Sequence, residues 1–237
     1  MIYLFDIDGT LTEPRQKIDS DFAKYFKLFC KANRVGLVTG SDIDKVYEQL
    51  DREIVDECVE FVFTNMANVL YKKGKVIESN EMVIPPNLID DLNRVLSKYH
   101  LTKTGNHIEY RSGMINFSLI GRNATQEQRE QYAKDQGCQT IRKNVVRYLK
   151  GLYESQGLDF FVGGQISIDI QPIGKDKRQV VDYLQRIIRS NPKVTFFGDK
   201  TFQGGNDHTL AERVKSIGGT VHQVENWKQT EEILKCL

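Results

Sequence analysis

The sequence predicts an α/β protein, with a Rossmann-like core of parallel strands into which a second, α+β body holding an antiparallel sheet is inserted. Three observations carry this expectation. Short apolar runs alternate with amphipathic helical stretches at the start of the chain and again at its end. The middle instead holds paired runs of polar–apolar alternation joined by glycine turns. Prolines mark the joints, Pro85 and Pro86 on one side and Pro172 on the other, and proline ends regular structure.

Ile2-Tyr3-Leu4-Phe5 reads as a buried strand, and Phe22, Tyr25, Phe26 and Phe29 fall at helical spacing between Asp21 and Asn33. Val35–Val38 is a second strand, Asp42–Leu50 a second helix and Phe61–Phe63 a third strand. Strands separated by helices imply crossovers and a parallel sheet covered on both faces. In the tail, a helix over Asp176–Arg189 precedes the strand Val194–Phe197. A helix ending near Ile217, a short strand near Val221 and a last helix follow. In the insert, HIEYR joins MINFSLIG through Ser112-Gly113, and LDFFV joins QISIDIQP through Gly163-Gly164, each as an antiparallel hairpin. Helical stretches over Pro86–Tyr99 and Thr125–Glu154 surround them. The expected division is a core of residues 1–80 and 175–237 and an insert of residues 81–174.

Composition excludes several classes. With 40% hydrophobic and 27% charged residues, the 237-residue chain reads as an ordinary soluble protein. Its net charge of +1 gives no reason to expect nucleic acid or an anionic membrane as partner. Cys30, Cys58, Cys138 and Cys236 are scattered without a CxxC pair, which argues against a zinc site or disulfide framework and fits a reducing compartment. No apolar stretch approaches the roughly 20 residues that span a bilayer, and no signal-peptide pattern opens the sequence. A cytoplasmic location is therefore expected.

The chemistry begins at FDIDGTLT, Phe5 to Thr12, where Asp6 and Asp8 project to one side of an extended strand end ahead of a glycine. Ligands of doubly wound sheets bind at the carboxyl ends of the strands. Thr39-Gly40-Ser41-Asp42, Lys177 and the run FFGDKTFQGGNDH, with Asp199 and Asp207, fall at that same edge. Singly, Ser41 or Asp42 could be a helix cap, Lys177 a solvated charge, and Asp199 and Asp207 turn residues. Together they offer carboxylates suited to Mg²⁺, with a hydroxyl and an ammonium suited to a phosphoryl group.

DIDGT, VTGSD, Lys177 and GDKTFQGGND resemble, in order, the four motifs of the haloacid dehalogenase-like phosphotransferases. The resemblance implies Asp6 as the nucleophile that forms an aspartyl-phosphate and Asp8 as general acid/base, with Thr39, Ser41 and Lys177 completing the catalytic set. It implies Mg²⁺ held by Asp6, the main-chain carbonyl of Asp8, and Asp199, with Asp207 beside them.

In the insert, Ile166, Ile168 and Ile170 share one strand face, and Gln165, Ser167, Asp169 and Gln171 the other. Glu109 and Arg111 oppose Ile108 and Tyr110, while Asn116 and Ser118 oppose Ile115 and Phe117. The polar face either meets solvent or recognises sugar hydroxyls and phosphate. Thr125-Gln126-Glu127-Gln128 reads as a capping box, which puts Arg129 in the first turn of a helix. A cation there opposes the helix dipole at a cost of about 0.3–1 kcal/mol, which a bound anion would reverse. Arg111, Arg122 and Arg129 form either an anion clamp or scattered surface charges.

RSGMINFSLIGRNATQEQR, GGQISIDIQPIGKDKR and FFGDKTFQGGNDH are similar to the eukaryotic-type phosphomannomutases, and the similarity runs over nearly the whole chain. It implies hexose-phosphate binding by Arg15, Arg111, Arg122, Arg129, Ser167 and Asp169, a homodimer formed through the insert, and a hexose 1,6-bisphosphate activator. It implies interconversion of mannose 6-phosphate and mannose 1-phosphate, with the corresponding glucose phosphates, on the way to GDP-mannose. The chain departs from the family pattern at Thr39, at Asn65-Met66-Ala67-Asn68 and at Lys175. A sugar-phosphate phosphatase on the same core is the alternative enzyme, and a non-catalytic sugar-phosphate-binding protein the alternative outside enzymes.

Overall fold

A computed structural model of the chain describes residues 1–188 and 192–237. It divides into two compact units, Met1–Asn80 with Gly174–Leu237, and Glu81–Ile173. The first unit opens with β1 (Ile2–Phe5), α1 (Ser20–Ala32), β2 (Arg34–Val38), α2 (Ile43–Gln49), β3 (Phe61–Thr64), β4 (Val69–Lys72) and β5 (Lys75–Ser79). The second unit holds α3 (Leu88–Lys98), β6 (Ile108–Arg111), β7 (Met114–Ser118), α4 (Gln126–Lys134), α5 (Gln136–Tyr153), β8 (Leu158–Val162) and β9 (Ser167–Pro172). The chain then returns to the first unit with α6 (Gln179–Ile188), β10 (Val194–Gly198), α7 (His208–Ser216), β11 (Thr220–Gln223) and α8 (Trp227–Lys235).

The first sheet runs in the order β11-β10-β1-β2-β3-β4-β5, with β11 to β3 parallel. This is the α/β class the alternating pattern predicts. Its central strands are buried on both faces and so read as continuous apolar runs. Phe22, Phe26, Val46 and Leu234 pack on one face of the sheet, and Val180, Leu184, Leu210 and Val214 on the other. Asp19 caps α1 by accepting from the amides of Asp21 and Phe22 at 2.9 and 3.0 Å, which fixes the register that turns Phe22, Phe26 and Cys30 inward.

Two features of this unit escape the periodicity of the sequence. The antiparallel hairpin β4–β5 extends the sheet past β3, turning at Lys73 and Gly74, both in the left-handed region at φ 51° and 69°. Every residue of β5 is exposed, so no apolar alternation announces the strand; lysine at such an edge discourages pairing with other chains. The helix expected over Asp176–Arg189 begins later, at Gln179, because the Asp176 carboxylate turns back to the Arg178 amide at 2.9 Å. Its expected last residue, Arg189, lies outside the described residues.

The second unit is a four-stranded antiparallel sheet in the order β6-β7-β9-β8. Ile115, Phe117, Ile168 and Ile170 make its apolar face and pack with Leu88, Leu92, Val145, Leu149 and Tyr153 of α3 and α5. The helical stretch expected as one piece over Thr125–Glu154 is two helices. Asp135 ends α4 and caps α5, accepting from the Cys138 amide at 2.8 Å.

Candidate active site

The first unit gathers its charged residues where β1 and β10 end. The two strands pair in register up to Phe5 and Phe197, and the Asp6 amide donates to the Phe197 carbonyl at 2.9 Å. Asp6 and Asp199 thus leave adjacent strands on the same edge of the sheet. Asp207 stands at the head of α7, but its carboxylate makes no capping bond there. It accepts instead from Lys177 Nζ at 2.6 Å and from the Lys200 amide at 3.2 Å. Lys177, fully buried, also donates to Asp6 at 2.6 Å, so one ammonium bridges two carboxylates. Lys200 pairs with Asp199 at 2.6 Å.

Burial, with Asp207 close by, pushes the Asp6 carboxyl well above the ordinary carboxylate range, against the pull of Lys177. Burial alone would lower Lys177, but Asp207 and Asp6 outweigh it and hold the ammonium up. Asp199 is raised by burial despite Lys200 beside it. The cluster thus sets three carboxylates, Asp6, Asp199 and Asp207, against two ammonium groups, Lys177 and Lys200.

Carboxylate oxygens of Asp6, Asp199 and Asp207 lie within 4.8 Å of one another. One Asp199 oxygen is buried without a hydrogen-bond partner. Glycine makes the approach possible: a Cβ on Gly9, at φ 84°, would fall 2.6 Å from Asp199 Oδ2, and one on Gly198 would fall 2.8 Å from Asp207 Oδ2. The donor set fits Mg²⁺, which takes a few carboxylates and completes its shell with water or phosphate oxygens. A pH-dependent stability follows. Because Asp6 and Asp199 are raised, the folded metal-free protein keeps protons that the unfolded chain releases. Its stability therefore falls as pH rises from the ordinary carboxylate range through the raised values. Mg²⁺ favours the ionised carboxylates. Calorimetry is expected to show a larger Tm gain from Mg²⁺ at pH 8 than at pH 5.5; an equal gain would remove these carboxylates from the metal site.

The Asp8 carboxylate stands outside this cluster. It accepts from the Arg15 amide at 2.7 Å and from Gln49 Nε2 at 2.8 Å, and Gln49 also reaches Thr12 at 3.0 Å. Arg15 sits in the left-handed region at φ 63°, which aims its amide at Asp8. Gln49 is a site residue that sequence reasoning missed, since one glutamine at the end of a helix carries no motif. Thr39 is buried after β2, and its hydroxyl accepts from the Ser41 amide at 3.1 Å. Asp42, not Ser41, is the cap of α2, accepting from the Lys45 amide at 2.9 Å. The Ser41 and Thr39 carbonyls accept from Asn65 and Met66, which begin a run of three left-handed residues ending at Ala67. Such backbone costs of order 1–3 kcal/mol per residue and persists where its surroundings over-determine it.

The polar face of the second unit is buried rather than solvated. Asn116, Ser118, Ser167, Asp169 and Gln171 are all closed to solvent. Ser118 pairs with Ser167 and Asn116 with Asp169 across β7 and β9, and the Asn116 amide donates to Asp169 at 2.6 Å. Glu109 sits opposite Asn116 and takes both Arg111 and Arg122 as ion-pair partners. The capping box at Thr125 forms as the sequence predicts. Arg129 turns back from that helix to donate to the Ala124 carbonyl at 2.9 Å and to the Arg122 carbonyl. The three arginines therefore share one corner of the unit.

Comparison with known proteins gives the family and the fold. The chain is 37% identical to a phosphomannomutase of Spinacia oleracea, the match covering 98% of the chain and 95% of that protein. It is 37% identical to the phosphomannomutase of Solanum lycopersicum, over 95% of the chain and 90% of the relative. Among solved structures, the C-terminal domain of a C. albicans trehalose-6-phosphate phosphatase is similar in fold. Its TM-score is 0.67 at 14% identity, with 99% of this chain and 90% of that one covered. The sequence pattern of the eukaryotic phosphomannomutases matches residues 22–236, and the chain belongs to that family.

Proposed function

We propose that the chain interconverts mannose 6-phosphate and mannose 1-phosphate, and the corresponding glucose phosphates, through an aspartyl-phosphate on Asp6. The observation that carries this reading is the Lys177 ammonium bridging Asp6 and Asp207 next to Asp199, at the carboxyl edge of a parallel sheet. The Asp6 carboxylate attacks phosphorus, the bond to the sugar oxygen breaks, and Asp8 gives that oxygen its proton. In the return step a sugar hydroxyl passes its proton to Asp8 and takes the phosphoryl group from Asp6. Asp6, the Asp8 carbonyl and Asp199, with Asp207 beside them, would hold Mg²⁺, which would supply positive charge where a carboxylate meets a phosphate dianion. Lys177 adds to that neutralisation, and Thr39 and Ser41 offer their hydroxyls to the phosphoryl oxygens.

In this reading a hexose 1,6-bisphosphate loads Asp6 and is regenerated in each cycle. Arg111, Arg122 and Arg129 recognise the phosphate that is not reacting, Ser167 and Asp169 the sugar hydroxyls, and Arg15 the substrate next to Asp8. Residues 81–174 are then a cap that sets specificity and forms the homodimer. The enzyme acts in the cytoplasm, feeding GDP-mannose synthesis; four free cysteines fit that compartment. Among the described residues no helix is long and apolar enough to cross a membrane. A coupled assay on mannose 1-phosphate and glucose 1-phosphate tests the reaction. Isomerisation that requires Mg²⁺ and is stimulated by the bisphosphate is expected. Steady release of inorganic phosphate without isomerisation would identify a sugar-phosphate phosphatase instead.

A further inference from the structure

We propose that Glu109 is a positioning residue, a built-in carboxylate that holds Arg111 and Arg122 side by side before substrate arrives. This rests on the reading of those arginines as phosphate ligands. Glu109 and Arg111 lie two residues apart on β6 and so face the same way. Arg111 Nε donates to Glu109 Oε1 at 2.6 Å, and a terminal nitrogen of the same guanidinium reaches that oxygen too. The other oxygen, Oε2, lies 3.4 Å from Arg122 Nε and 3.4 Å from Asn106 Nδ2. One carboxylate thus divides its two oxygens between two guanidinium groups that come from different parts of the chain.

The backbone under Arg122 is fixed independently. Its amide donates to the Asn106 carbonyl at 3.0 Å, and its carbonyl accepts from Arg129. Arg129 braces the turn between Arg122 and Ala124 through its Nε and one terminal nitrogen, the other terminal nitrogen lying outside these two bonds. With the turn held from below, the remaining freedom of Arg122 is in its side chain, which the Glu109 carboxylate 3.4 Å from its Nε restricts by ion pairing. The arginine side chains are 5% and 9% exposed, whereas Glu109 is 26% exposed, at the open side of the group.

Two guanidinium groups brought together repel each other and, left alone, would splay apart. The carboxylate offsets that repulsion and orders two long side chains in advance, an ordering that binding would otherwise have to impose. Each guanidinium has five N–H donors, so a bond or two to Glu109 leaves donors for phosphate. Two effects of removing the Glu109 charge oppose one another. A phosphate would lose a like-charged neighbour, but the arginines would lose their alignment. The short contacts to Arg111 and the single carboxylate shared by both groups favour alignment as the larger effect.

The test is a double-mutant cycle on the full chain, with glucose 1,6-bisphosphate binding read by calorimetry. Arg122→Ala is expected to weaken binding. Glu109→Gln is expected to weaken it by roughly tenfold in the natural background and by little when Arg122→Ala is already present. Its KM for hexose phosphate should rise more than its kcat falls, and Glu109→Asp, which keeps the charge on a shorter arm, should fall between the two. If Glu109→Gln does not fold, Glu109→Asp carries the same cycle. Binding by Glu109→Gln as tight as in the natural protein, with Arg122→Ala impaired, would overturn the positioning role, as would strictly additive effects. If Arg122→Ala binds the bisphosphate normally, the phosphate-ligand reading fails first and the positioning role falls with it.

Discussion

Asp6→Asn is expected to abolish turnover, lowering kcat by on the order of 10⁴-fold or more, while the protein folds and still binds hexose phosphate. An amide oxygen at this position is isosteric with the carboxylate but too weak a nucleophile to take a phosphoryl group. Folding should survive, because Asp6 is a strained participant in its own cluster. Burial and Asp207 both work against its ionised form, and only Lys177 favours it strongly. The neutral amide relieves that conflict and can still accept from Lys177. Single-turnover measurements with a labelled bisphosphate check the assignment directly: the natural protein should acquire a covalent phosphate and the variant none. A variant that retains normal activity would remove Asp6 from the nucleophile's role.

Lys177→Met should have the largest effect on stability. The ammonium is fully buried and lies 2.6 Å from both Asp6 and Asp207. Methionine fills similar volume but leaves the carboxylates facing one another without a counter-charge. Taking one partner from a buried ion pair costs about 3–5 kcal/mol, which for a chain of this size lowers Tm by about 10 °C. The pH dependence has a definite sign. Loss of Lys177 raises Asp6 further, so the folded variant retains protons that the unfolded chain releases above the ordinary carboxylate range. The Tm deficit should therefore grow from pH 5 to pH 8, and Mg²⁺ should narrow it at pH 8. A deficit independent of pH would mean that Lys177 acts through packing and not through charge.

The parts of this protein that are legible in the sequence are those governed by local rules. Parallel strands buried on both faces have to be apolar throughout, so IYLF and VTFF stand out as runs. The capping box at Thr125 is legible because both of its partners lie within four residues. The β4–β5 hairpin is invisible for the opposite reason. Its outer strand lies wholly at the surface, and nothing in a solvent-exposed run distinguishes strand from loop. The break at Asp135 emerges only in the structure, where its carboxylate accepts from the Cys138 amide and starts a new helix.

At the site the division is similar. Asp6, Lys177, Asp199 and Asp207 are chemistry-bearing residues at strand ends and helix heads, and β–α grammar brings such positions to one edge whatever the details. What that grammar cannot state is which charge meets which. Lys177 and Asp6 are far apart in the chain, and their contact exists because β10 lies beside β1 while α7 turns its first carboxylate inward. Gln49 joins Asp8 and Thr12 by the same kind of long-range accident, and Glu109 joins Arg111 to Arg122 across two strands and a turn.

From the sequence alone come the α/β class, the alternation that builds the sheet and the set of residue types able to move a phosphoryl group, because each depends on spacing along the chain. Only the tertiary structure decided that Lys177 lies between two carboxylates, that Asp8 is held apart from them by Gln49 and the Arg15 amide, and that one glutamate gathers two arginines. Those pairings depend on distances between segments remote in the chain, and a buried charge takes the partner that packing brings within reach.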